Sequence, residues 1–143
     1  AIVIALARYL LSIFCPLDHG RSCPMSNVLL VDDESEICFL LANMLRRNGM
    51  QCSQAHSITA ARQVLSDKPY DVVFLDVHLP DGLGYDLIPE IRAHSPGARV
   101  IAISAVDVER GAATSKGADL FLAKPLSQGA VLGGLRELGL GKP

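Results

Sequence analysis

The stretch VLLVDDESE (residues 28–36) runs four apolar residues straight into two adjacent aspartates and a glutamate. The unbroken apolar run reads as a strand buried on both faces, the pattern of a parallel sheet covered by helices. Carboxylates at the tip of such a strand repel one another and lose hydration. A cationic group is therefore expected beside them.

Outward from that strand, short apolar runs alternate with helical periods of about a dozen residues, the signature of βαβ units. Further strands are expected at QCSQA (51–55, a weak pattern), DVVFL (71–75), RVIAIS (99–104) and DLFLA (119–123). Ile37, Leu40, Leu41, Met44 and Leu45 recur at helical steps. Asp33 and Glu36 read as the capping box of that helix, and Gly49 as its end. Ser57 is placed to cap a second helix carrying Ala60, Ala61, Val64 and Leu65, closed by Pro69. A third helix begins near Gly84 and stops before Pro96, a fourth covers roughly 107–116, and a fifth runs from Ser127 to Leu138. Glycines and small residues in the last two make them the least stable locally. Right-handed crossovers leave few topologies for such a chain. The expected fold is a doubly wound (βα)5 α/β domain, a flavodoxin-like parallel sheet with strand order 2-1-3-4-5 and its site outside the carboxyl ends of the strands.

The 143 residues suffice for one domain with a real core. Half are hydrophobic but only 5% are aromatic and none is Trp, so that core must be built from Val, Leu, Ile and Ala. Thirteen basic against fifteen acidic side chains give a net charge of −2 without a basic run, which argues against direct nucleic-acid binding. Cys15, Cys23, Cys38 and Cys52 show neither CxxC nor a zinc spacing and read as reduced cytosolic thiols, consistent with a cytoplasmic protein.

The first fourteen residues, AIVIALARYLLSIF, are mostly apolar. As a helix they would span about 21 Å, short of a bilayer core of about 30 Å, and they lack the basic start of a signal peptide. MSNVLLVDD from Met25 looks like a complete beginning. Residues 1–24 are accordingly expected to form an apolar N-terminal extension outside a domain spanning 25–143, with a docking or membrane-touching helix as the alternative. Membrane contact by the domain itself is not expected.

Five polar residues fall at strand ends on one edge of the expected sheet: Asp32 and Asp33 after the first strand, Asp76 after the third, Ser104 closing the fourth and Lys124 after the fifth. Clustered carboxylates call for a hard cation, and oxygen ligands suit Mg2+ better than zinc. Asp33 and Asp76 can hold that ion, Lys124 can pair with a phosphate and Ser104 can donate a hydrogen bond to it. Asp76 can then serve as the nucleophile in phosphoryl transfer.

With VDDE at the first strand end, LDVHLPDGLG at the third, IS at the fourth and AKP at the fifth, the chain resembles the receiver domain of bacterial two-component response regulators over residues 26–139. The resemblance implies a signalling domain, not a turnover enzyme. Asp76 would accept a phosphoryl group from a phosphohistidine on a histidine kinase or histidine phosphotransfer protein, with Mg2+ required. It implies Asp33 as a direct metal ligand, Asp32 orienting a metal-bound water, and His78 lending its backbone carbonyl to the metal. Lys124 would contact the phosphoryl group, and the Lys124–Pro125 peptide is expected to be cis. Ser104 and Phe121 would be the switch residues that change the face of helix 4, strand 5 and helix 5 for partner binding. Phe121 lacks a phenol hydroxyl, so its switching would work through ring packing. Val106 and His78 flank the expected path of the hydrolytic water, and apolar Val106 is expected to shield an acyl phosphate.

A phosphorylation-independent pseudo-receiver is the alternative from a different class, but such a module usually loses the acid pair, the acceptor or the lysine. A haloacid-dehalogenase-type phosphohydrolase also uses an Asp nucleophile with Mg2+, yet wants a second Asp where this chain has His78. A stand-alone receiver and a fragment of a larger regulator both fit the sequence, as does a phosphorylation-dependent homodimer. The kinase, the downstream protein target and the pathway are not written in it.

Overall fold

The computed structural model describes residues 26–106 and 109–140, so the expected extension over residues 1–24 lies outside the described residues. Five parallel strands form one sheet: β1 (Asn27–Val31), β2 (Gln51–Ala55), β3 (Val72–Asp76), β4 (Arg99–Ser104) and β5 (Leu120–Ala123). Their order is β2-β1-β3-β4-β5, as the sequence predicts. The helices are α1 (Ser35–Arg47), α2 (Ile58–Asp67), α3 (Ile88–His94), α4 (Glu109–Ser115) and α5 (Gln128–Glu137).

Alternate strand residues point to opposite faces, and here both faces are filled. Val28 and Leu30 join Phe74, Ile101 and Ile103 under α1 and α5, where Leu41, Leu45, Val131 and Leu135 meet them. Leu29 and Val31 join Val73, Leu75 and Val100 beneath α2, α3 and α4, through Ala61, Leu65, Ile91 and Ala113. The weak pattern of β2 has a physical cause. It is an edge strand paired only with β1, and most of its residues are only partly buried.

Three local expectations need correction. The capping box of Asp33 and Glu36 does not form: Glu34 is the N-cap residue of α1 and caps with no side chain. Instead Asp32 Oδ1 accepts from the Glu34 amide at 2.9 Å, while the Asp33 carboxylate gathers with those of Asp32 and Asp76. Leu40 is not a core residue; it and Phe39 stand exposed on α1. Asp76 does not follow its strand but ends it, in register with Ile103. The third helix opens as a 3-10 turn (Gly84–Leu87) before α3. Ser57 caps α2 and Ser127 caps α5 through their hydroxyls, as expected.

Between β3 and α3 lies a short antiparallel hairpin of His78–Leu79 and Gly82–Leu83. The Gly84 amide donates to Val77 O at 2.7 Å, and a Cβ at Gly84 would stand 2.0 Å from Asp76 O. Only glycine fits that approach. At the amino end of the sheet, Asp71 Oδ2 accepts from the Asn27 amide at 2.8 Å, and Asp119 Oδ2 accepts from the Val100 amide at 2.8 Å. Arg92 ties the same end together, donating to Asp119, Gly117 O and Ala98 O.

Candidate functional site

The carboxyl edge of the sheet brings together Asp32, Asp33, Asp76 and Lys124. Asp32 and Asp33 arrive there because β1 stops at Val31, and Asp76 because β3 runs one residue further. Lys124 starts two strands away from β3, a separation of about 10 Å. Its amide donates to Ser104 O at 2.9 Å, fixing the root of the side chain on β4, and the four-carbon stem then crosses to the acids. The Lys124–Pro125 peptide is cis.

The Lys124 ammonium lies 2.9 Å from Asp32 Oδ2, 3.2 Å from Asp76 Oδ2 and 3.2 Å from Glu34 Oε1. Asp32 and Asp76 are only 2% and 4% exposed, so these charges act in a partly dehydrated setting. Burial first, then repulsion from Asp32, pushes the Asp76 carboxyl up to about 6, although Lys124 opposes the rise. Burial works against the Lys124 charge, yet Asp32 and Asp76 outweigh it and hold the ammonium above the usual lysine range.

Oxygens of Asp32, Asp33 and Asp76 all lie within 4.8 Å of one another. Asp32 Oδ2 is buried, and the Lys124 ammonium meets it at 2.9 Å as an ion pair. An all-carboxylate oxygen set at this spacing has the chemistry of a hard divalent cation site.

The remaining expected site residues stand around this centre. His78 is exposed, and its amide donates to Asp76 Oδ1 at 3.2 Å; its side chain is not part of the carboxylate cluster. Ser104 is buried one residue beyond the register partner of Asp76, and its Oγ accepts from the Val106 amide at 3.1 Å. Phe121 is buried, with the Arg110 guanidinium 4.9 Å above its ring centroid. That cation–π contact supplies a polar cover to a ring with no hydroxyl of its own.

Glu34, His56 and Asp81 also touch this edge, and sequence reasoning gave none of them a role. His56 Nδ1 lies 2.9 Å from Asp32 O, which also accepts from the Cys38 thiol at 3.5 Å. Burial pushes that thiol up to about 11, making Cys38 a packing residue. Only Glu34 had a signal, its place in the acidic run.

Residues 28–135 match the response regulator receiver domain family. The chain is 38% identical over 112 residues to the response regulator protein PilR of Pseudomonas aeruginosa, covering 77% of this chain and 24% of PilR. It is 35% identical over 114 residues to the KDP operon transcriptional regulatory protein KdpE of Escherichia coli, covering 78% and 50%. The chain thus spans between a quarter and a half of the length of these relatives. Among solved structures it resembles the response regulator TrrA of Thermotoga maritima in complex with Mg2+–BeF (28% identity, TM-score 0.71, covering 80% of this chain and 99% of that one). It also resembles a Burkholderia pseudomallei response regulator with a phosphorylated aspartic acid, a calcium ion and citrate (28% identity, TM-score 0.71, covering 80% and 71%). Five parallel strands in this order, an acid cluster opposed by a lysine at their carboxyl ends, and a family match across the whole sheet lead to one conclusion: the chain belongs to the response regulator receiver domains of two-component systems.

Proposed function

We propose that the domain is a phosphoacceptor switch in which Asp76 takes a phosphoryl group from a phosphohistidine on a histidine kinase or histidine phosphotransfer protein, in a reaction that requires Mg2+. The observation that carries this reading is the buried Asp76 carboxylate, set between an acid pair and the Lys124 ammonium at the carboxyl edge of the sheet. The phosphorylated aspartic acid in one 28%-identical structure and the Mg2+–BeF complex in another support it.

An Asp76 carboxylate oxygen attacks phosphorus as the P–N bond to the donor imidazole breaks, and the imidazole keeps the electron pair. Lys124 turns from Asp32 toward the phosphoryl oxygens and neutralises them, and the Ser104 hydroxyl donates a hydrogen bond to the same group. Asp33 and Asp76, with Asp32 and the His78 carbonyl, would hold Mg2+. When bound, the ion supplies charge neutralisation for the transferring group. Movement of Ser104 toward the phosphoryl group and repacking of Phe121 then alter the face formed by α4, β5 and α5, where a protein target or a second copy of the domain would bind. The domain would work in the cytoplasm as a signalling module, with residues 1–24 outside the folded unit of 25–143.

The intact acid pair, acceptor and lysine weigh against a phosphorylation-independent module, and His78 in place of a second acid weighs against a phosphohydrolase. The test is the intact mass of the chain after incubation with acetyl phosphate, with and without Mg2+, beside Asp76→Asn. A Mg2+-dependent gain of one phosphoryl group, absent from the variant, is expected. A folded, Mg2+-binding protein that gains nothing overturns the reading.

A further inference from the structure

Two contacts at the carboxyl edge converge on a piece of chain that supplies no acid, the β2–α2 turn with the first two residues of α2 (56–59). On one side His56 Nδ1 lies 2.9 Å from the carbonyl oxygen of Asp32, whose amide donates to Ala55 O at 3.1 Å. On the other side Asp81, at the tip of the β3 hairpin, reaches across more than twenty residues of sequence. Its Oδ1 accepts from the Ile58 amide at 2.8 Å, and its Oδ2 accepts from the Thr59 amide and the Thr59 hydroxyl, both at 3.0 Å.

We propose that this turn braces the site by setting where the loop after Asp76 stands relative to the acid pair, and that Asp81 is the positioning residue through which it acts. Asp81 is exposed, yet both of its carboxylate oxygens are committed, which fixes the hairpin tip in two directions. The tip also approaches α2 closely: Gly82 has φ +149°, and a Cβ there would stand 3.0 Å from Ile58 Cδ1. From the tip the constraint runs into the centre. Gly84 closes the hairpin on Val77 O and lies against Asp76 O, while the His78 amide holds Asp76 Oδ1 at 3.2 Å. Accepting the Ile58 and Thr59 amides keeps the Asp81 carboxyl below the usual range, so the clamp persists throughout the neutral range. The alternative, that Asp81 merely caps α2, makes a different prediction: a lower melting temperature with an unaltered cation site.

The inference rests on the phosphoacceptor reading, and Mg2+ affinity of the unphosphorylated chain, measured by calorimetric titration, separates the two. Asp81→Ala is expected to weaken Mg2+ binding by roughly tenfold, the low end of the about 10- to 100-fold range for groups that orient metal ligands. Labelling by acetyl phosphate should slow in parallel. Asp81→Asn keeps one acceptor oxygen and should fall between, at roughly threefold weaker. An alanine variant that binds Mg2+ as the parent does, whatever its melting temperature, overturns the inference alone. If that variant does not fold, Asp81→Asn decides: unchanged Mg2+ affinity overturns the brace. A parent chain that binds no Mg2+ overturns the phosphoacceptor reading and the brace together.

Discussion

The Lys124 ammonium stands 2.9 Å from Asp32 Oδ2, and Asp76 and Glu34 take up its other two directions at 3.2 Å each. An ammonium has three donor hydrogens, and here three carboxylates surround them. Among the described residues, these three carboxylates therefore share one ammonium.

Removing that cation leaves Asp32 and Asp76 buried without compensation. In metal-free buffer at neutral pH, Lys124→Met is expected to lose about 1–3 kcal/mol of stability, the cost of stranding buried polar and charged groups. Urea unfolding measures it, and added Mg2+ should recover most of the loss. An unchanged urea midpoint would show that Lys124 does not balance the acids.

The raised pKa of Asp76, about 6 against an ordinary 3.8, couples folding to pH. The folded state binds this proton more tightly than the unfolded state, so in metal-free protein the contribution of Asp76 to stability rises as pH falls from about 7 to about 4. The rise is at most about 3 kcal/mol for a shift of this size. Asp76→Asn should abolish this slope and raise stability at pH 7. Unfolding midpoints at several pH values for both proteins decide the matter, and parallel profiles would contradict it.

Gly84→Ala places a methyl group where Asp76 O now stands, so the hairpin and the end of β3 must part. A loss of about 2–4 kcal/mol is expected, typical of forced overpacking and backbone displacement. Gly97→Ala, where the added Cβ meets nothing within 4 Å, is the matched control. Equal melting temperatures for the two variants would refute the close-approach argument.

Val106 is 43% exposed, and its amide is hydrogen-bonded to Ser104 Oγ. If its apolar side chain shields an Asp76 phosphate from water, Val106→Glu should shorten the lifetime of the phosphorylated protein severalfold without changing its fold. Decay of phosphorylated protein after donor removal gives the rate. Identical decay in both proteins would dismiss the shielding role.

How much of this was legible in the sequence follows from what each feature depends on. β1, β3 and β4 announce themselves because both of their faces are buried, which demands unbroken apolar runs. β2 is faint because an edge strand tolerates Gln and Ser. Asp32, Asp33, Asp76 and Lys124 were legible as strand-end residues on one edge, since parallel topology alone brings them together. The capping box failed because the helix begins one residue later than the pattern suggests, with Glu34 at its N-cap, a shift that local pattern cannot weigh. Asp81 gave no warning: its partners are mainly backbone amides, which every sequence contains. Arg110 was equally silent, because its place over Phe121 depends on how α4 lies against β5.

The two ends of the sheet divide their labour. The carboxyl end concentrates mutual repulsion, while at the amino end Asp71 and Asp119 are spent on backbone amides and Arg92 laces three chain segments. A protein engineer can therefore treat the domain as a socket on a fixed mount. Exposed side chains beside Asp76, such as those of His78 and Val106, can be exchanged while the Arg92 and Asp119 knot keeps the strands in register. Disturbing that knot would cost the platform itself.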